Sequence, residues 1–343
     1  MSKSPFFTIG IPVYNMEKWV AACLDSILCQ DFADFELICV DDGSRDSSLE
    51  ILNSYAAKDS RIKVIHKENS GVSLTRNAIH ANARGEYIYA IDSDDVMCEN
   101  VLSAVYDIIV KNNYPDIVQT GCIKNFNGNI TTSSCVYPGD EYFDPSLTKD
   151  ERAVKLWADA KFAPFGSTRF IRRKLISDNG IMFSSRYCAL EDSDFSVELH
   201  RKMNSIVYTD IPSFVYMLRD TSVSTVFSLN YFKSMITRWV DFYQETEFWN
   251  LSDEYRSIVR KEEIKFLTHF REYTMIAYTE FADSKTALEA VGIIETLLGN
   301  KIKKLPVPNG KSGIIFRLYN IFGIRRVCTL LYRYLRLKGV IKE

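Results

Sequence analysis

Phe35-Glu36-Leu37-Ile38-Cys39-Val40-Asp41-Asp42-Gly43-Ser44 is an apolar run that stops abruptly at an acidic turn. A short continuous run of this kind, bounded by turn residues, reads as a strand buried on both faces, the signature of a parallel sheet. The same punctuation returns at Tyr87 to Ile91, which stops at Asp92-Ser93-Asp94-Asp95. Working outward, Phe6 to Pro12, Arg61 to His66 and Asp116 to Thr120 supply three more strands. Between them, Glu17 to Gln30, Asp46 to Ala57, Val72 to Ala83 and Glu99 to Lys111 carry helical spacing. Strands alternating with helices of about 10–15 residues make βαβ units and a mostly parallel α/β sheet. Ligands of such sheets bind beyond the carboxyl ends of the strands. Both acidic clusters fall there, so they are expected to share one crevice despite their separation in sequence.

After Thr120 the pattern changes. Asn125 to Asn129 and Thr131 to Ser134 read as polar turns, and Pro138-Gly139 as another. Ser167 to Ser177 is basic and is expected to start a helix. Glu191 to Lys202 reads as a helix, and Ser205 to Tyr216 as a strand pair broken by Pro212. From Tyr231 to about Leu298 the periodicity is helical, and Lys304 to Gly313 looks like a linker. The expected organisation is a catalytic domain over 1–225, a helical region over 226–303, and a linker with a terminal helix over 304–343. Within the first, 1–120 would bind the donor and 121–225 would form the acceptor side.

The 343 residues carry a formal net charge of -2, so bulk charge gives no argument for nucleic acid. None of the eight cysteines forms a CxxC pair or sits at zinc-ligand spacing with histidine, which points to free thiols in a reducing compartment. No signal peptide is read at Met-Ser-Lys-Ser-Pro, and no apolar run of about 18 residues predicts a membrane span.

Asp92 and Asp94 stand one residue apart at a strand end, so their carboxylates share one side of the chain. Hard oxygens grouped this way suit Mg²⁺ or Mn²⁺. Taken alone, such a tripeptide is more often a solvated turn or a helix cap.

The surrounding blocks change that balance. They are Ile9-Gly10-Ile11-Pro12-Val13-Tyr14-Asn15, Val40-Asp41-Asp42-Gly43-Ser44-Arg45-Asp46, Ser70-Gly71-Val72-Ser73-Leu74-Thr75-Arg76-Asn77-Ala78 and Ile91-Asp92-Ser93-Asp94-Asp95. In this order they closely resemble the family-2 glycosyltransferases, inverting enzymes of the GT-A fold. The resemblance is close from about Phe6 to Val118 and looser to about Thr225. It implies that Pro12, Val13 and Tyr14 frame a uracil, with Tyr14 against the base. It implies that Asp42 accepts the base N3 proton, as an acceptor-only carboxylate can. Arg76 would lie beside the nucleotide, although a solvated helix face is the bland alternative. Asp92 would lie near the ribose and the metal, Ser93 among the residues that bind the nucleotide sugar, and Asp94 would be the direct metal ligand. Asp95 reads as a helix-start residue.

The same resemblance places the catalytic base at the last acid of Glu191-Asp192, so at Asp192. Its bland alternative is a helix cap, with Glu191 and Asp194 as rivals. Arg219, before Asp220-Thr221-Ser222-Val223-Ser224, resembles a residue that clamps the diphosphate, although a surface ion pair fits equally. The histidines read as packing or surface. One base on the acceptor side and a Mn²⁺ or Mg²⁺ on the leaving diphosphate imply a single displacement with inversion. The implied partners are a nucleotide-sugar donor, most simply a UDP-sugar, and a saccharide or lipid-linked saccharide acceptor. Capsule, exopolysaccharide or lipopolysaccharide synthesis is the implied setting.

From Lys301 onward eleven basic residues face only Glu343. At 100° per residue, Ile324, Val327, Leu330, Leu331, Tyr334, Leu335 and Leu337 share one side of a helix, and Arg325, Arg326, Arg333 and Arg336 the other. Such a helix can rest on an anionic membrane surface, which would make the enzyme cytoplasmic and peripheral. It can equally pack on its own domain. Three rival functions remain. A Rossmann dehydrogenase would need a GxGxxG turn after the first strand, and Pro12 to Met16 has no glycine. A non-catalytic binding module would show no donor hydrolysis with Mn²⁺. A polyprenyl-phosphate sugar synthase of the same fold is disfavoured by the lack of an expected span.

Overall fold

The computed structural model describes residues 4–126, 129–133, 146–158, 166–187, 191–218, 229–263, 292 and 296. The first half runs β1 (Phe7–Val13), α1 (Val20–Leu28), β2 (Phe35–Asp41), α2 (Ser48–Ala56), β3 (Ile62–His66), α3 (Val72–Asn82) and β4 (Tyr87–Ala90). Then come a two-residue β5 (Val96–Met97), α4 (Val101–Lys111), β6 (Ile117–Phe126), β7 (Asn129–Ser133) and α5 (Lys149–Ala158). A 3₁₀ turn over Gly166–Thr168 leads into β8 (Arg169–Arg172), α6 (Arg173–Asn179), α7 (Glu191–Lys202), β9 (Ile206–Leu218) and α8 (Leu229–Thr246).

Among the described residues the sheet has nine strands in the order β3-β2-β1-β4-β8-β6-β9-β5, with β7 on β6. The β3-β2-β1-β4 part is parallel, as the apolar runs require. Strand β8 is antiparallel to both β4 and β6, β9 is parallel to β6, and β5 is antiparallel to β9. The sheet is therefore mixed, and its longest ladders, β1 with β2 and β6 with β9, are parallel as expected. Ile9, Ile11, Leu37 and Cys39 are fully buried, the isoleucines and Leu37 each contributing about 1.5–3 kcal/mol. At Gly10 a β-carbon would lie 2.3 Å from Ile79 Cγ2, so glycine is what lets α3 lie on β1.

One charge interrupts the apolar run of β2. Glu36 is buried and accepts from Thr8 Oγ1 at 2.7 Å, from the Arg84 amide at 2.7 Å and from Arg84 Nε at 2.8 Å. Burial opposes its ionisation, but these donors win and hold the carboxyl below its usual value. The lock fixes the entry into β4, and so the place where the chain leaves the sheet towards Asp92.

The second half departs from expectation in four places. Strand β6 continues to Phe126, and Thr131 to Ser133, read as a turn, pairs with it as β7. Thr131 to Ser133 are polar, so alternation gave no apolar signal there. The segment from Ser167 to Ser177 starts as a 3₁₀ turn and strand before its helix, because Phe170 and Ile171 bury against the sheet. Pro212 does not divide β9; the pairing with β6 only shifts register around Gly121, opposite it. Asp95 does not start a helix, because α4 begins at Val101 after Asn100 in the left-handed region.

Contacts divide the chain into two compact units, Met1–Arg186 with Leu190–Ser222, and Tyr187–Ala189 with Val223–Glu343. In the second, α8 and a helical run over 253–263 bury Ile236, Val240, Phe242, Trp249 and Val259. There Tyr187 donates its hydroxyl to Asp241 Oδ2 at 2.6 Å. Among the described residues no helix is long and apolar enough to cross a membrane. The cationic helix expected over Ile324 to Leu337 lies outside the described residues.

Candidate active site

The parallel strands end in register. Val13, Asp41 and His66 are direct neighbours across β1, β2 and β3, so this rim carries the first acidic pair. Asp41 is fully buried and accepts from His66 Nδ1 at 2.7 Å and from the Ser44 amide at 3.2 Å. The Asp42 carboxylate is turned onto the next loop: Oδ1 accepts from Lys67 Nζ and, at 2.9 Å, from the Ser70 amide, and Oδ2 accepts from the Gly71 amide at 2.9 Å. Burial works against that charge, but Lys67 and the two amides outweigh it and hold the carboxyl below its usual value. Gly71 has φ +91, which glycine tolerates and which turns its amide towards Asp42 as α3 begins. Asp42 thus fastens the start of α3 to the rim. The Tyr14 loop is latched to the turn beyond Asp42, with Asn15 Oδ1 accepting from the Arg45 amide at 2.8 Å and the Asn15 amide donating to Ser44 Oγ at 3.0 Å.

Arg76 lies about one turn into α3 and is buried, so the solvated-face alternative is wrong. Its Nη2 donates to Asp92 Oδ1 at 2.9 Å, and its Nη1 donates to Glu191 Oε1 at 2.7 Å and to Asp192 Oδ1 at 3.1 Å. One guanidinium therefore joins the exit of β4 to the first turn of α7 across 116 residues of sequence. The three carboxylates hold Arg76 firmly protonated, its pKa raised despite the opposing effect of burial. Phe183 packs under it, 5.4 Å from the guanidinium carbon to the ring centre.

Asp192 keeps 23% of its side chain open, which leaves an approach for a reacting hydroxyl. Burial raises its carboxyl most, Arg76 draws it down, Glu191 and Asp92 push it up again, and it settles at about 7. Its position in the first turn of α7 adds backbone N–H groups that favour the charge. A carboxylate poised near neutrality suits proton abstraction.

The remaining expected residues distribute plainly. Pro12 and Val13 are buried at the end of β1, and Tyr14 is 41% exposed. Ser93 is buried, Asp94 is half-buried, and the Asp92 side chain is 43% exposed. Asp95 is buried, accepts from the Met217 amide at 3.1 Å, and is pushed up to about 8 by burial and then by Asp92. Arg219 lies outside the described residues. Among the described residues no three His, Cys, Asp or Glu side chains form a ready-made metal cage. Magnesium and manganese need no such cage: one or two carboxylates suffice when phosphate oxygens and water complete the shell.

The sequence reading passed over Gln119, Ser196 and the role of Arg169 at this site. Arg169 on β8 is 1% exposed and stands opposite Gln119 on β6. The signal that could have found it is a charged residue inside the apolar segment Thr168 to Ile171 of a sheet.

The comparisons with known proteins place the chain in a family. The sequence profile of glycosyl transferase family 2 matches residues 8–180. The glycosyltransferase EpsH of Bacillus subtilis is 30% identical over 266 residues, 74% of this chain and 73% of EpsH. The poly(ribitol-phosphate) beta-glucosyltransferase of Bacillus spizizenii is 32% identical over 217 residues, 62% of this chain but 32% of that longer protein. Among solved structures, S. aureus TarS 1-349 in complex with UDP-GlcNAc superposes with a TM-score of 0.64 at 20% identity, over 97% of this chain and 92% of TarS. That last likeness carries the fold, GT-A, and the profile with the sequence relatives carries the lineage. The chain that ties Asp92 to Asp192 through Arg76 is a bacterial glycosyltransferase of family 2.

Proposed function

We propose that the enzyme moves a sugar, with inversion, from a nucleoside-diphosphate donor to a hydroxyl of a saccharide or lipid-linked saccharide. A UDP-sugar is the favoured donor, supported by the uracil-type residues at the rim and by the UDP-GlcNAc complex of TarS. The product is a bacterial surface polysaccharide, capsule, exopolysaccharide or lipopolysaccharide. One observation carries the reading: Arg76 brings the acidic exit of β4 and the acidic start of α7 to a single guanidinium.

Asp192 takes the proton of the acceptor hydroxyl as that oxygen attacks the anomeric carbon. No second nucleophile is needed, so the step is one displacement. Asp92 and Asp94 would hold Mn²⁺ or Mg²⁺, which neutralises charge on the departing diphosphate. Tyr14 stands exposed for stacking on the base, and Asp42 keeps a free lone pair on Oδ2 for a base N–H. Arg219 is proposed to clamp the diphosphate. The basic helix expected over 324–337 supports seating at the cytoplasmic face of an anionic membrane, where lipid-linked acceptors reside.

The test is a screen of UDP-sugars for UDP release with Mn²⁺, with Mg²⁺ and with chelator. Release is expected only with metal, and Asp94→Ala is expected to lower it by about 100-fold, a few kcal/mol of barrier. Metal-independent turnover, or an Asp94→Ala enzyme at full rate, refutes the metal assignment. A base works unprotonated, so kcat is expected to climb as pH rises through about 7, the raised value of Asp192. A flat profile from pH 5 to 8 would remove Asp192 from that role.

A further inference from the structure

We infer that Arg169 is a positioning residue for the reaction, gripping the first turn of α7 from the sheet side while Arg76 grips the Asp192 carboxylate. The inference rests on the reading of Asp192 as the base. Arg169 Nε donates to Gln119 Oε1 at 3.0 Å, and its Nη1 donates to Ser196 Oγ. Ser196 in turn donates its hydroxyl to the Asp192 carbonyl at 2.5 Å. Both bonds beyond the guanidinium point the same way, so each polarises the next. Gln119 is itself immobilised, its Nε2 donating to the Thr168 carbonyl at 3.0 Å and the Thr120 carbonyl at 3.2 Å. The backbone of Asp192 is thereby tied through two side chains to the strands β6 and β8.

Energetics make a purely structural role costly. Taking a guanidinium out of water costs several kcal/mol unless opposite charge lies close. A leucine or methionine would fill the position without that penalty. Arg76 and Arg169 also line the same small cavity, together with His80, Ser167, Phe183 and Phe195. Two cations beside one cavity repel; the Asp192 carboxylate is close enough to feel both, and Asp92 and Glu191 further offset Arg76. The two histidines nearby add no charge: burial, then Arg76, holds His80 at about 4, and burial, then Arg169, holds His200 at about 3. Asp192 therefore sits between two fixed positive groups, one bonded to its carboxylate and one acting through its own helix. That arrangement orients a base.

The experiment compares kcat and donor KM for Arg169→Met, Arg169→Lys, Ser196→Ala and Asp192→Asn in the full chain, with thermal melts to confirm folding. Arg169→Met is expected to lower kcat about 10–100-fold, the scale of a slightly misplaced catalytic group, with donor KM within about two-fold. Arg169→Lys should recover part of that loss, because it restores the charge but not the fork. Ser196→Ala, which cuts the link and leaves the cation, should lower kcat a few-fold with KM unchanged. Full kcat in Arg169→Met overturns the inference, as does a rise in KM that accounts for its whole effect. If Arg169→Met does not fold, Ser196→Ala decides, and full kcat there overturns it. Wild-type turnover in Asp192→Asn overturns the base reading and this inference together. An inactive Asp192→Asn beside fully active Arg169→Met and Ser196→Ala overturns this inference alone.

Discussion

Asp192→Asn is expected to reduce kcat by about 10³-fold while the protein folds and binds UDP-sugar within about two-fold of wild type. General base catalysis contributes about 10²–10⁴-fold, and an amide of the same shape cannot take a proton. Shape and most hydrogen bonding survive, since the Asn oxygen can still accept from Arg76. Stability should not fall. Asp192 has a raised folded value of about 7, so its ionised form is a cost to the native state above the ordinary carboxyl range. Removing that charge relieves the cost at neutral and alkaline pH. Steady-state kinetics with a calorimetric donor titration would check both halves. An Asn variant that turns over normally, or one that loses donor binding and turnover together, refutes the assignment.

Arg76→Met is the second large effect, and it should appear in stability as well as rate. Arg76 is 6% exposed and bonds to Asp92, Glu191 and Asp192. Deleting the cation leaves three carboxylates facing one another. Breaking a buried ion pair by removing one partner costs about 3–5 kcal/mol, and the exposed Asp92 share of this is screened. The sign with pH follows from linkage. Without Arg76 the Asp192 carboxyl is raised above its value of about 7, so the native state retains a proton that the unfolded chain releases above about pH 4. Stability is then kept at low pH and lost as pH climbs through that raised folded value. The deficit relative to wild type should be larger at pH 8 than at pH 5 in chemical denaturation. Adding Asp192→Asn should restore part of the loss at pH 8, since it removes one of the stranded charges. Turnover at pH 7 should fall as well, because more of the base is protonated. An equal deficit at both pH values would mean that Arg76 matters for packing rather than charge.

Much of the donor half is legible in the sequence because its strands are buried on both faces and its helices are short and evenly spaced. Phe35 to Asp41 forms the expected strand to within a residue, and Val72 to Asn82 the expected helix. Legibility fails where partners are distant. Pro212 suggested a break, but β6 absorbs it by a register shift that no local pattern records. The hairpin strand β7 is five residues long with one apolar residue, so no local apolar pattern marks it. At the site, Asp42 and Asp192 stand out as acids at element ends. Their partners do not, because nothing local in Lys67, Arg169 or Ser196 reveals which carboxylate or carbonyl they reach. Arg76 lay among the expected residues, but its joining of β4 to α7 depends on contacts 16 and 116 residues away.

Strand β8 lies antiparallel between β4 and β6 and so seams the two halves of the first unit together. The junction is made of backbone ladder rather than of a tether. Cutting the chain after Thr120 would strip β4 of its neighbour and leave a row of bare amide and carbonyl groups, an invitation to aggregate. Chimaeras that join the residues before Thr120 of one relative to those after it in another therefore cannot be spliced at that point. The exchange must carry β8 with its ladder partners, or the hybrid will have no continuous sheet on which to hold Asp192.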